Sequence, residues 1–431
     1  MDSPLLSPSF SSTFFLRSAM RSVSEAESLI FQHLPVFSCA SVRLAEAGER
    51  VLREAICADR PLPPYHRSMM DGIALRAARG SLSGSKGLAL QVERTQYAGM
   101  PAGSLADVEG GCVRIMTGAV VPAGADCVLP VEWLAFEEVA GAERVSITVP
   151  VNAPDIVPGL FVHAEGSDRA AGEVLVPAGT RLDPPKIAIA AAVGLAEVVV
   201  SVRPRVALIS TGDELIEPGR PIAPHQIRPS STFGLASALR ALGCEPVRLH
   251  VPDDPEALAK GVDAALNSCD AIVSSGGVSK GGKDFLPGVL AELGVTEYLH
   301  RVSQKPGRPM WFGVRGAGEA CTPVFALPGN PVSTLVCFRR FVQPAFERAL
   351  GLALQPTAFA ALAEDVVFRP ALTHFCAVSV EPSSDGRLRA TPVRINTSGD
   401  FSALGASDGF LQLPPAPAEF PAGEVFPFFA W

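Results

Sequence analysis

The chain of 431 residues has 9 cysteines, an odd number, and no Cys-x-x-Cys pair. A disulfide-stapled scaffold and the usual zinc-ligand spacings are thereby excluded. Reduced thiols acting as small apolar fillers fit better. Long apolar runs are scarce. The longest, Ile187 to Ala196, ends at Glu197 and falls short of the roughly 20 residues that cross a bilayer. The first stretch, MDSPLLSPSFSSTFFLRSAMRS, lacks a basic start followed by a sustained apolar segment, so it does not read as a secretory signal. Residues 1–20 are expected to form a flexible tail, and translation from Met20 would remove only that tail. An excess of positive charge is also missing. The net charge is −8 and the pI about 5.5, which excludes a chain built mainly to bind nucleic acid but leaves room for a local basic pocket. These absences point to a cytosolic protein with no membrane partner.

What is present is a large apolar content: 48% hydrophobic against 19% charged residues, enough for sizeable cores and too much for global disorder. At roughly 100–200 residues per domain, two to four domains are expected. Residues 21–60 read as helical, from the capped SVSEAESLIFQHL and from the spacing of VRLAEAGERVLREAICA. Over 61–159, short β-like runs between glycines and prolines predict a β-rich insert: LALQVERTQ, CVRIMTG, DCVLPVEWLAF, RVSITVPV. Residues 160–203 are mixed, with KIAIAAAVG as a helix and AEVVVSV as a strand. From 204 to 349 strands and helices alternate: RVALIST, TFGLASALRALG, EPVRLHV, DPEALAKGVDAAL, DAIVSSGG, DFLPGVLAELG. That rhythm predicts a doubly wound parallel sheet, whose ligands sit at the carboxyl ends of the strands. Pro-rich residues 350–431 read as a small β domain.

Three polar loops, TGDE, VPDD and SSGG, fall at those strand ends. SSGGVSKGGKDF, residues 274–285, packs glycines where a backbone could cradle an anion, with Asp284 at the same edge. It matches neither the dinucleotide nor the P-loop fingerprint, and a tight loop without ligand reads equally well. Glu214, Asp253 and Asp284 suit a divalent cation such as Mg²⁺ held together with ligand phosphates. Asp213 and Asp254 read as structural, Asp254 as the cap of a helix starting at Pro255. HRVSQKPGRP gathers Arg301, Lys305 and Arg308 on a proline-stiffened loop, suited to an oxyanion or to plain solvation. ALPGNPVST brackets Gly329 and Asn330 between Pro328 and Pro331. The helix that follows, VSTLVCFRRFVQPAF, would offer Ser333 and Thr334 as donors, unless the turn is purely structural. Asp71 lies in a Met-Asp-Gly turn and Thr117 in a Thr-Gly turn. Neither spacing names a mechanism. His66 and His163 have no partner at metal-site spacing and read as ordinary surface or core histidines.

Taken in order, PLPPYHRSMMDGIAL, VRIMTGAVVPAGADCVLPVE, STGDEL, SSGGVSKGGKDF, KPGRP and ALPGNPVST resemble the molybdopterin molybdotransferase family, MoeA and the gephyrin E domain. The likeness runs from about residue 21 to the end. It implies a transferase that inserts molybdate into adenylylated molybdopterin, with Mg²⁺ assisting pyrophosphate cleavage and release of AMP. The implied fold is an elongated four-domain homodimer. Residues 21–60 and 160–203 would form the mixed, dimerising domain, 61–159 the β-rich insert, 204–349 a MogA-like α/β domain, and 350–431 a C-terminal β domain. The active site would lie between the α/β domain and the insert of the other subunit. Molybdopterin adenylyltransferase and a recipient molybdoenzyme are implied partners. Carried over by position, the functional residues are Asp71, Thr117, Asp168, Glu214, Asp253 and Asp284, with Glu214, Asp253 and Asp284 on the metal. Ser275, Gly276, Gly277, Ser279, Arg301, Lys305, Arg308, Pro328, Pro331 and Ser333 would hold the cofactor.

The departures from the family's pattern share a sign. Lys280 and Lys283 are additional cations in the 279–284 turn. His66 and Arg67 stand where an acid and an amide are usual. Pro229 replaces an aspartate, and Ser167 a glutamate beside the retained Asp168. Two readings follow. Either the drift is neutral and the transferase is active, or the chain is a non-catalytic or specialised paralogue that carries finished cofactor.

Overall fold

The computed structural model describes residues 20–77, 89–107, 109–278 and 285–431. Ser279, Lys280, Lys283, Asp284 and, apart from Met20, the expected tail over 1–20 lie outside the described residues. Two compact units divide the chain. One gathers the residues up to 53 with 178–183 and 198–431, the other 54–177 with 184–197.

In the first unit, Arg205–Thr211 reads as an uninterrupted apolar run because both its faces are covered. Side chains alternate across a strand. Val206 and Leu208 enter a core with Leu235, Leu239 and Phe325. Ala207 and Ile209 enter another with Leu258, Val262 and Ile272. Each fully buried Leu or Ile contributes roughly 1.5–3 kcal/mol of transfer free energy. The six strands lie in the order Glu245–Val251, Arg205–Thr211, Ala271–Ser275, Thr322–Leu327, Trp311–Arg315, Val295–His300. The first four are parallel, as double-sided burial favours. Trp311–Arg315 runs opposite to them and Val295–His300 opposite to it in turn, so the expected all-parallel sheet carries one reversed strand next to its edge. Helices Ser230–Ala241, Pro255–Ser268 and Leu286–Glu292 follow the first three strands in chain order. Asp254 caps the second of them by accepting from Ala257 N at 2.8 Å. The predicted helix after the 328–331 turn forms as Pro331–Cys337, a π turn over Phe338–Val342, and Gln343–Ala349. The π turn leads into Pro344, which has no N–H to continue the α-helical ladder.

The C-terminal part of this unit is a sheet closed on itself. Thr373–Pro382, Leu388–Pro392, Ala358–Leu362, Val425–Ala430 and Gly409–Leu413 pair in turn, and the last pairs back with the first. Closure leaves no open edge among the five. Gln304–Lys305 then adds parallel to Thr373–His374 and joins this barrel to the loop between Val295–His300 and Trp311–Arg315 of the α/β sheet. The helix Val23–Gln32 starts with a capping box, Ser22 with Glu25. Glu27 on that helix pairs with the buried Arg340, at 2.6 Å, and Arg340 Nε reaches Gln412 of the barrel at 2.9 Å. The helix expected over 42–58 does not form. Only Leu44–Glu46 makes a 3₁₀ turn. Gly48 and Glu49, at φ 61°, interrupt it, and the backbone beyond finds strand-like partners instead, Leu52 N with Thr180 O and Arg53 N with Val199 O, both at 2.9 Å. Tertiary pairing overrides helical spacing there.

The second unit is built on a mixed sheet in the order Cys127–Pro130, Gly72–Leu75, Gly111–Ile115, Ala89–Gln96, Ala142–Ile147, Leu134–Val139. Ile73, Leu75, Leu129, Val145 and Trp133 fill its core. Gly72 is obligatory, since a Cβ there would lie 1.8 Å from the Leu129 carbonyl oxygen. Its helix is Pro184–Ala192, as predicted. Among the described residues no helix is long and apolar enough to cross a membrane.

Candidate functional site

The three strand-end loops converge as the topology requires. A cavity of about 660 Å³ is lined by Thr211, Gly212, Glu214, Asp253 and residues 275–277, and by Ser230 to Thr232 at the start of a helix. Local geometry explains the residue types. Gly212, at φ 133°, lets the Glu214 carboxylate fold back over it, where a Cβ would lie 2.8 Å from Oε2. Gly276 and Gly277 have φ of 102° and 78°, and Gly276 N donates to Leu327 O at 3.0 Å. Asp213 Oδ1 accepts from Asp253 N at 3.3 Å and ties two loops together. Asp213 and Asp254 thus have structural roles, while Glu214 and Asp253 face the cavity. Among the described residues no three His, Cys, Asp or Glu side chains cluster closely enough to hold a metal alone. Two carboxylates in a cavity with a glycine turn suit Mg²⁺, which keeps water and takes its remaining ligands from phosphates.

A second cavity, of about 560 Å³, lies on the other side of the 328–331 turn, with Gly329 and Asn330 lining both. Lys305, Arg308, Pro328 and Ser333 line the second cavity, and Pro331 the first. Arg301 lines neither. It sits at φ 74° just past the end of its strand, and its N–H donates to Met310 O at 2.8 Å. Thr334, expected as a ligand donor, turns inward, its hydroxyl donating to Pro328 O and Asn330 O. The barrel supplies the far wall, including His374, Asn396 and Ser398. Asn330 Nδ2 donates to Ser398 Oγ at 2.7 Å. His374 stacks on Phe368 with ring centres 4.1 Å apart, and burial pushes its pKa down to about 4. Sequence reasoning missed this wall entirely. HFCAVSVE carries only strand periodicity, with nothing to mark a site.

The second unit gathers its own polar group. The Asp71 carboxylate accepts from both Thr117 N and Thr117 Oγ1 at 2.7 Å, which holds its pKa below the usual carboxylate range. Ser68 N donates to Ala119 O at 2.9 Å and Gly118 N to Ser68 O at 2.8 Å, locking the two turns side by side. Asp168 accepts from His163 Nε2 at 2.8 Å, and His163 lies across a strand pair from Arg67. The segment 66–71 therefore neighbours both acids.

These features define a multidomain α/β protein with a ligand cavity at the carboxyl edge of a mainly parallel sheet. Residues 21–194 match the MoeA N-terminal region (domain I and II), 207–348 a probable molybdopterin binding domain, and 360–431 the MoeA C-terminal region (domain IV). The chain is 39% identical to a molybdopterin molybdenumtransferase of Synechocystis, over 96% of this chain and 100% of that one. It is 31% identical to the Haemophilus influenzae protein of the same name, over 94% and 97%. A crystal structure titled molybdopterin biosynthesis moea protein, from Pyrococcus horikosii, superposes with a TM-score of 0.80 at 30% identity, over 96% and 99% of the two chains. The chain belongs to the MoeA family.

Proposed function

We propose that this chain is a molybdopterin molybdenumtransferase that inserts molybdate into adenylylated molybdopterin and releases AMP. The observation that carries the reading is the strand-end cavity, where Glu214 and Asp253 share one space with the positive-φ turn at Gly276 and Gly277. The positive-φ turn would set the Gly277 backbone N–H, beside the Ser275 side chain that lines the same cavity, against the pyrophosphate oxygens. Lys305 and Arg308 in the neighbouring cavity would hold a second oxyanion by charge-assisted hydrogen bonds. Glu214 and Asp253 would hold Mg²⁺, joined in this reading by Asp284. A bound Mg²⁺ would supply neutralisation of the pyrophosphate charge. The turn from Pro328 to Pro331 keeps the two cavities adjacent and separate.

Homodimerisation through residues 21–60 and 160–203, a cytosolic location, and exchange with an adenylyltransferase and a recipient molybdoenzyme belong to the same proposal. Family membership over nearly the whole chain supports it. The deciding experiment follows AMP release from adenylylated molybdopterin with Mg²⁺, with and without molybdate. Release that requires molybdate and disappears in Asp253→Ala is the expected result. Tight binding without release would identify a cofactor holder instead.

A further inference from the structure

We propose that Arg67 and His163 are positioning residues for Asp168. They form a hydrogen-bonded line, guanidinium to imidazole to carboxylate, that fixes one oxygen of that acid. The proposal rests on the transferase reading above and on the functional role that the family resemblance implies for Asp168. Val162–His163 pairs antiparallel with Arg67–Ser68, in a register that sets His163 opposite Arg67. Directly opposed residues project to the same face of a strand pair. Arg67 Nη2 and Nε approach His163 Nδ1 at 3.1 and 3.4 Å. A guanidinium has donors only, so Nδ1 must be the acceptor and the imidazole proton must sit on Nε2. That Nε2–H donates to Asp168 Oδ1 at 2.8 Å. Arg67 thus selects the one neutral tautomer that can hold Asp168.

The backbone of the turn is fixed as well. Asp168 N and Arg169 N both donate to Leu62 O, at 2.9 and 3.1 Å, and Gly166 N to Pro63 O at 2.9 Å. His66 Nδ1 accepts from Glu165 N at 3.1 Å. With the backbone tied and Oδ1 engaged, the half-exposed Asp168 side chain keeps Oδ2 without a hydrogen-bond partner among the described residues. A ligand would meet an acid of set orientation. The line also accounts for one of the departures from the family's pattern. The cationic Arg67 is engaged with His163 and, through it, with a retained acid, rather than adding an uncompensated charge to the site.

The test uses the full-length protein and the AMP-release assay. His163→Ala is expected to lower kcat about tenfold, as loss of a supporting partner commonly does, with KM for molybdate within about twofold and an unchanged melting curve. His163→Gln, whose amide can donate to Asp168, should recover most of that loss. His163→Ala with Asp168→Ala should be no slower than Asp168→Ala alone, because the first acts only through the second. Wild-type rates in His163→Ala, or losses that multiply in the double variant, would overturn the proposal. A wild type with no molybdate-dependent release would overturn the transferase reading itself. The line is then decided by ¹⁵N imidazole shifts. An Nε2–H tautomer in the wild type that is lost in Arg67→Ala supports it, and an Nδ1–H tautomer in the wild type refutes it.

Discussion

The two cavities beside the 328–331 turn are made differently. The first takes its walls from loops at the ends of adjacent parallel strands, so a single topological rule places Thr211, Asp253 and Ser275 together. The second takes one wall from the KPGRP and PGNP turns and the other from the barrel, joined where Gln304–Lys305 adds to Thr373–His374. Residues far apart along the chain meet there for no reason visible in either stretch. The first cavity follows mainly from fold class, with Gly399 and Phe401 of the C-terminal region completing its lining, whereas the second depends throughout on how the barrel seats on the α/β domain. Their chemistry differs too: the first sets the carboxylates of Glu214 and Asp253 beside glycines and Arg228, while the second has Lys305, Arg308 and the half-buried imidazole of His374 and, among the described residues, no acidic side chain.

The sharpest way to break this comparison is Asp253→Ala. If the first cavity carries the chemistry, AMP release should fall by about 10²–10³-fold, the range seen when one group stabilising developing charge is removed, with the melting curve little changed. Steady-state kinetics checks it. Next comes Gly307→Ala in the second cavity. Gly307 has φ 90°, and a Cβ would lie 2.4 Å from Cys337 Sγ and 2.8 Å from Gln304 Nε2. Strain and overpacking should cost about 3 kcal/mol, read as a lower denaturation midpoint with the first cavity's glycine turn intact.

Acid should also separate the two cavities. His374 is neutral when folded down to pH about 4, while the unfolded imidazole takes a proton below about 6.5. The unfolded state then binds more protons, so stability is full above pH about 6.5 and declines as pH falls toward 4. The loss is about 2 kcal/mol, absent in His374→Gln. Urea midpoints across that window decide the matter. The smallest effect is expected from Asp254→Ala, beside Asp253. Loss of its cap bond to Ala257 N should lower stability by about 1 kcal/mol and leave kcat within about twofold. A kinetic collapse there would mean that the division of roles between the two neighbouring acids is wrong.

Much of the first cavity is legible in the amino-acid pattern. RVALIST, DAIVSSGG and their neighbours mark buried strands, because residues covered on both faces need an unbroken apolar run. Gly212, Gly276 and Gly277 announce positive-φ turns, and Asp254 a helix cap. The stretch 42–58 misleads, since its apolar spacing suits a helix while its backbone partners, Thr180 and Val199, lie far along the chain. Thr334 misleads in a similar way. Its hydroxyl closes its own turn rather than facing a ligand.

The sequence by itself determined the class of each segment, the acids and glycines at the strand ends, and the order of the family's motifs. Local propensity and periodicity act over a few residues and can be read there. Only the tertiary structure decided that His374 and Ser398 face Lys305 and Arg308 across one cavity, that Arg301 does not join them, and that Arg67 reaches Asp168 through His163. Those facts depend on long-range pairing, whose register is set by the burial of whole sheets rather than by any residue's neighbours in the chain.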